Sequence, residues 1–151
     1  MISKLLSKTL YEQDYPQWLE ITLQQLQEKD LENLDWENLI EEISSLGNEQ
    51  KHKLESHLLQ VLKHLLLYQH WSIPDCKNHW EVEIDNFRVE IRKLTKSKNL
   101  YNYLLTVLDE VYTDAVRQAK KKNGLNCFPP TCLYTIDQIL DVEYLPPVTY
   151  L

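Results

Sequence analysis

Apolar residues recur at helical spacing along most of the chain, and this pattern predicts a series of amphipathic helices. The first helix begins after the capping residue Asp14 and ends near Glu28, with its apolar stripe at Tyr15, Leu19, Leu23 and Leu26. A second helix is predicted over residues 35–46, with an apolar face of Trp36, Leu39, Ile40, Ile43 and Leu46. Gly47 is predicted to be its C-cap, because the alternative, one kinked helix from Asp35 to Trp71, is well beyond the usual length.

The most apolar helix is predicted over residues 49–71, and we expect it to be central because its apolar positions cover about half its circumference. Further helices are predicted over about 79–96 and 100–122, the second ending at Gly124 as C-cap. A proline-containing segment follows, with a short helix after Thr135. The sequence therefore predicts an all-α fold, a single domain over residues 1–151, built as a bundle of four to five main helices. A short C-terminal helix and a proline-containing arm, packed on the bundle, complete it.

Composition and charge narrow the class of protein. The 151 residues are 43% hydrophobic and 26% charged, which is typical of a soluble globular chain. The formal charge of −7 argues against nucleic-acid binding, and no apolar run is long enough for a signal peptide or a membrane span. Three cysteines, Cys76, Cys127 and Cys132, are an odd number that favours reduced thiols and a cytoplasmic location.

Several blocks of the sequence carry a family resemblance. They are LYEQD at 10–14 with Trp18, DWENLIEEI at 35–43, HLLL at 64–67, Trp80 with Arg88, and a C-terminal set of Ala115, Ala119, Gly124 and Phe128-Pro. Over about residues 10–141 the chain resembles the domain of unknown function family DUF29, whose members are mostly small cyanobacterial proteins. The resemblance implies an all-helical fold and no particular activity. The chain differs from the family pattern at Tyr68, where a basic residue is usual, and at residues 97–100, which lack a proline.

The adjacent acids Glu41 and Glu42 are the first candidates for chemistry. On a helix over residues 35–46, Glu41 points nearly opposite the apolar face and is predicted to be solvated. Glu42 lies at the margin of that face, where a carboxylate usually finds a cation. Arg88 lies at the margin of its own helix's stripe, so we predict a structural ion pair between Glu42 and Arg88.

His57 and His64 are seven residues apart on one flank of the central helix and could offer two nitrogens to a metal ion. With Glu41 and Glu42 they would form the Glu/His cluster of a small metal-dependent hydrolase. A di-metal bundle needs a second Glu-x-x-His repeat, which the chain lacks. The favoured interpretation is that both histidines are partly buried and hydrogen-bonded.

A zinc site built from Cys76, His79, Cys127 and Cys132 is disfavoured, because the second cysteine spacing is loose and interrupted by two prolines. No phosphate-binding loop, nucleophile elbow or complete catalytic set is present, and no cofactor is predicted.

Trp18 and Trp71 lie off the main stripes of their helices, so they either contact a second layer or mark a surface for a partner. The leading functional prediction is a non-catalytic protein-interaction or self-associating module, with no nucleic-acid or membrane partner. The alternative is the metal-dependent hydrolase.

Overall fold

The computed structural model describes residues 2–149, which form six α-helices and a 3₁₀ turn and contain no β-strand. The helices are α1 (Lys4–Gln13), α2 (Tyr15–Gln27), α3 (Trp36–His70), α4 (Lys77–Leu94), α5 (Lys98–Asn123) and α6 (Ile136–Leu140), with the 3₁₀ turn at Pro74–Cys76. The predicted all-α class is confirmed. The chain divides into two compact units, an N-terminal unit up to Glu49 and a C-terminal unit from Gln50 onward.

Helix α1 is an element that the hydrophobic pattern did not predict. Its N-terminus is capped by Ser3, whose hydroxyl accepts a hydrogen bond from the backbone N–H of Leu6. Only Asp14 separates α1 from α2. Its backbone N–H bonds the carbonyl of Leu10 to close α1, and its carboxylate accepts the N–H of Gln17 to open α2. The prediction that Asp14 caps α2 is therefore confirmed.

The predicted break at Gly47 is wrong, because α3 runs without interruption for 35 residues through both units. A glycine C-cap adopts a left-handed conformation, whereas Gly47 does not have a positive φ. One glycine costs a helix interior only about 1 kcal/mol relative to alanine, which is too little to terminate a long helix. Gly124 does have the predicted cap geometry, with φ of 68° and its N–H bonded to the carbonyl of Lys120.

The C-terminal unit holds the main hydrophobic core. The buried members from α3 are Leu54, Leu58, Val61, Leu62, Leu65, Leu66 and Leu67, and those from α4 and α5 include Trp80, Ile84, Ile91, Leu104, Val107, Val111 and Tyr112. Helix α6 adds Ile139, and the arm adds Tyr144 and Leu145 at the core's edge. Thr149 in the arm donates its backbone N–H to the carbonyl of Gln69. The arm packs as predicted up to Thr149, and its last two positions, 150 and 151, lie outside the described residues.

None of the helices in the described part of the chain is both long enough and apolar enough to cross a membrane.

Replacing Gly47 with alanine tests the continuity of α3. Because a Cβ at this position meets no atom within 4 Å, we expect Gly47→Ala to raise the free energy of unfolding by about 0.5–1 kcal/mol, measured by urea denaturation. Gly124→Ala is the matched control. Its left-handed backbone should make the same substitution destabilising by about 1 kcal/mol. Destabilisation by Gly47→Ala of the same size as in the control would contradict an uninterrupted helix.

Candidate functional site

The carboxylate of Glu42 is held by two tyrosines of the N-terminal unit. The phenol hydroxyls of Tyr11, at the end of α1, and Tyr15, at the start of α2, each donate a hydrogen bond of 2.5 Å to one of its oxygens. The prediction that Glu42 pairs with Arg88 is wrong. A carboxylate at a helix margin does need donors, but here neutral hydroxyls supply them. The adjacent Glu41 is exposed.

Arg88 is a buried anchor for the C-terminal arm. Its guanidinium donates from Nε to the carbonyl of Ile139, from Nη2 to that of Gln138, and from Nη1 to that of Tyr144, over 2.6–2.9 Å. The fork of five N–H donors suits an array of carbonyls as well as it suits a carboxylate. Arg88 therefore joins α4 to α6 and the arm within the C-terminal unit.

The tyrosine–carboxylate cluster is not poised for proton transfer near neutral pH. The hydrogen bond to Glu42 raises the pKa of Tyr11 to about 12, and the same bond also raises the pKa of Tyr15. The two phenols lower the pKa of the Glu42 carboxyl below its ordinary value. A general acid or base works best with a pKa near the working pH, so these groups hold helices together rather than exchange protons.

Trp18 is buried inside the N-terminal unit, with 1% of its surface exposed. Its indole N–H donates to the carboxylate of Asp35 over 3.2 Å, and its ring packs edge-on against Tyr11 with centroids 4.9 Å apart. The prediction that Trp18 contacts a partner is wrong, because its surface is not available. Trp71 is half-buried and stacks on Trp80 at 5.7 Å, which matches the alternative of contact with a second layer.

The N-terminal unit buries polar side chains and exposes apolar ones. The inward residues of α2 are Trp18, Thr22 and Gln25. The predicted core stripe of the same helix, Tyr15, Leu19, Leu23 and Leu26, is 39–57% exposed. That prediction is wrong because the hydrogen bond from Trp18 to Asp35 fixes the rotation of α2. In the same unit, the buried hydroxyls of Ser7 and Thr22 have no hydrogen-bond partner.

A second exposed stripe lies on the first three turns of α3. We call the four side chains Trp36, Ile40, Ile43 and Leu46 the α3 stripe, and they are 43%, 61%, 61% and 58% exposed. The predicted burial is also wrong for these four side chains, whereas Leu39 of the same predicted face is half-buried. The Trp36 indole is fixed at the surface, because its N–H donates to the backbone carbonyl of Leu31. The stripe is therefore an ordered helical surface.

The two candidate histidines line the same aromatic side chain. His57 and His64 both lie beside the Phe87 ring, with their ring centroids 5.7 and 6.0 Å from its centroid. The Nδ1 of His64 is 2.6 Å from the carbonyl of Gln60 and must carry the proton, because a carbonyl only accepts. Burial lowers the pKa of both imidazoles, so each favours the neutral form.

Within residues 2–149 no group of three or more histidine, cysteine, aspartate or glutamate side chains is arranged to hold a metal ion. The Glu/His cluster of the hydrolase alternative is thus not assembled there. Glu42 is occupied by tyrosines, and the histidines face Phe87. The cysteines are free thiols: Cys127 is exposed, and Cys76 and Cys132 pack at the edge of the core.

We call Tyr11, Tyr15, Trp18, Asp35 and Glu42 the N-terminal cluster. Three of its residues, Tyr11, Tyr15 and Asp35, were not predicted as site residues. Tyr11, Tyr15 and Trp18 are spaced at i, i+4 and i+7, which is the signal that could have revealed them. The signal is interrupted at Asp14, where α1 ends and α2 begins.

A comparison with known families gives one match. The family model described as domain of unknown function DUF29 matches residues 10–145, which is nearly the whole chain, and the chain belongs to this family. Neither the curated proteins nor the solved structures yielded a match.

Truncating Arg88 should release the C-terminal arm. Arg88→Met removes three charge-assisted hydrogen bonds and leaves three carbonyls without donors, so we expect the free energy of unfolding to fall by about 3 kcal/mol. Urea denaturation measures this loss, and limited proteolysis should show faster cleavage in the arm. Arg92→Met is the control, because Arg92 is exposed and makes one 3.4 Å bond to Leu140. Equal, small losses in the two variants would rule out the anchoring role.

Acid should destabilise the chain through its buried histidines. Because burial lowers the native pKa of His64, the unfolded chain takes up the proton first as the pH falls below about 6.5. The stability from the neutral imidazole is present above that pH and is lost as the pH falls through the native pKa. Between about pH 7.5 and 5.5, we expect the free energy of unfolding to fall less in His64→Gln than in the wild type. Urea denaturation at the two pH values measures the drop, and an unchanged drop in the variant would contradict this role.

Proposed function

We propose that this chain is a non-catalytic protein-interaction module whose contact surface is the α3 stripe of the N-terminal unit. The observation that carries the proposal is the inverted packing of this unit. Polar Ser7, Thr22 and Gln25 are buried while leucines and isoleucines face outward. Burying unpaired hydroxyls and exposing apolar surface both cost free energy, so such a unit gains most when a partner covers its outer face.

The chemistry of the other candidate residues supports the same proposal. The phenols of the N-terminal cluster stay protonated and Glu42 stays charged at neutral pH, which leaves no acid or base for a reaction there. Arg88 uses its donors on backbone carbonyls of its own unit. These groups shape the fold, and the α3 stripe is an apolar surface that they leave available.

The stripe is suited to binding because it is apolar, ordered and helical. Four large side chains at positions i, i+4, i+7 and i+10 face one side over about 15 Å of helix. Anchors at this spacing are typical of helix-mediated recognition. Central aromatic and aliphatic anchors also account for most of the affinity at interfaces, and Trp36 is one such anchor.

A photo-crosslinker in place of Ile43 tests the proposal in cells of the source organism. We expect protein adducts from position 43 and none from the same label at Val82, which is 57% exposed on helix α4. In the unlabelled chain, Ile40→Gln with Ile43→Gln should weaken association by about 100-fold or more, because two large apolar anchors are lost. Val82→Gln is the matched control. Adducts at both positions alike, or at neither, would overturn the proposed surface.

A further inference from the structure

The two units differ sharply in charge. The N-terminal unit contains three lysines and eleven aspartates and glutamates, a formal charge of −8. The C-terminal unit contains thirteen lysines and arginines and twelve acids, a charge of +1. The whole net charge of −7 therefore resides in the unit that carries the α3 stripe. An interaction surface in so negative a unit discriminates between partners by their charge.

One acidic side chain also lies at an edge of the stripe. At about 100° per residue, Glu37 lies near the edge of the stripe formed by Ile40, whereas Glu41 points nearly opposite the stripe. Both acids are exposed, and Glu37 forms an ion pair with the ammonium of Lys8 at 2.5 Å. An apolar strip in a unit of charge −8 is complementary to a helix that has an apolar face and a cationic border.

We infer that the occupant of the α3 stripe is a cationic amphipathic helix of another protein. This inference rests on the proposed function and adds the chemical class of the partner. A second copy of the chain is disfavoured as the occupant, because pairing two stripes would bring together two units of charge −8. The length of the stripe, about 15 Å, corresponds to three turns of a partner helix.

Synthetic peptides of about 18 residues test the inference, each with one leucine face and a polar face of lysine, glutamine or glutamate. Titration is followed by the anisotropy of a peptide label. We expect the lysine peptide to bind at least about tenfold more tightly than the glutamine peptide, and the glutamate peptide not to bind up to about 1 mM. Affinity for the lysine peptide should fall as salt rises from about 50 to about 300 mM.

Variants of the full chain locate the binding. Glu37→Lys, at the edge of the stripe, should weaken binding of the lysine peptide by about fivefold. Glu143→Lys, a matched change at an exposed acid of the C-terminal unit, should leave that binding unchanged. Ile40→Gln with Ile43→Gln should remove binding of the lysine peptide. Binding that survives the isoleucine changes would reflect electrostatic adsorption only and would overturn the inference.

The remaining outcomes separate this inference from the proposed function. If the glutamine peptide binds as tightly as the lysine peptide, selection by charge is refuted while the interaction surface stands. If no peptide binds but crosslinks still form at position 43, the cationic helix is refuted and the surface stands. If the chain dimerises in sedimentation and the isoleucine changes abolish the dimer, a second copy is the occupant and the inference fails. If no peptide binds and no crosslinks form at position 43, both the inference and the proposed function are refuted.

Discussion

The packing of the N-terminal unit depends on the carboxylate of Asp35, which is almost fully buried. It accepts hydrogen bonds from the Trp18 indole and from the backbone and side-chain nitrogens of Asn38. A buried charge without such donors would cost several kcal/mol, so the geometry that supplies them is strongly selected. The bond from Trp18 fixes which side of α2 faces inward. Because Thr22 and Gln25 share that side, the leucines of α2 face outward.

The C-terminal unit could be predicted from the sequence because a single rule governs it. Apolar residues at helical spacing in α3, α4 and α5 face the core. Gly124 caps the C-terminus of α5 and Thr135 caps the N-terminus of α6, as expected for these residue types. In the N-terminal unit the same spacing correctly predicts which side of each helix is apolar. It wrongly predicts that this side faces the core, because the side faces solvent instead. Periodicity reports that a face is apolar, and it does not report whether the covering surface belongs to the same chain.

The predictions at Gly47 and Arg88 were wrong because each relied on a residue's own chemistry and not on the structure that surrounds it. Gly47 suggested a helix end, but the hydrogen-bonded turns on both sides outweigh the small propensity cost of one glycine. Arg88 suggested an acidic partner, because opposite charges are the visible feature of a sequence. Every residue has a backbone carbonyl, so the sequence does not show which carbonyls will bind Arg88. The array that binds Arg88 forms only when α6 and the arm have folded, about 50 residues further along the chain.

The charge of −8 on the N-terminal unit also explains how an uncovered apolar stripe can be tolerated in the free chain. Exposed isoleucines and leucines on one helix face favour association between copies, since each buried apolar side chain contributes about 1.5–3 kcal/mol. Repulsion between like-charged units opposes that association at the distances where two stripes would meet. The same field attracts a cationic segment and concentrates it near the stripe. Under the proposed function, one distribution of charge disfavours self-association and selects the partner, while the buried Trp18–Asp35 bond keeps the stripe of α2 facing outward.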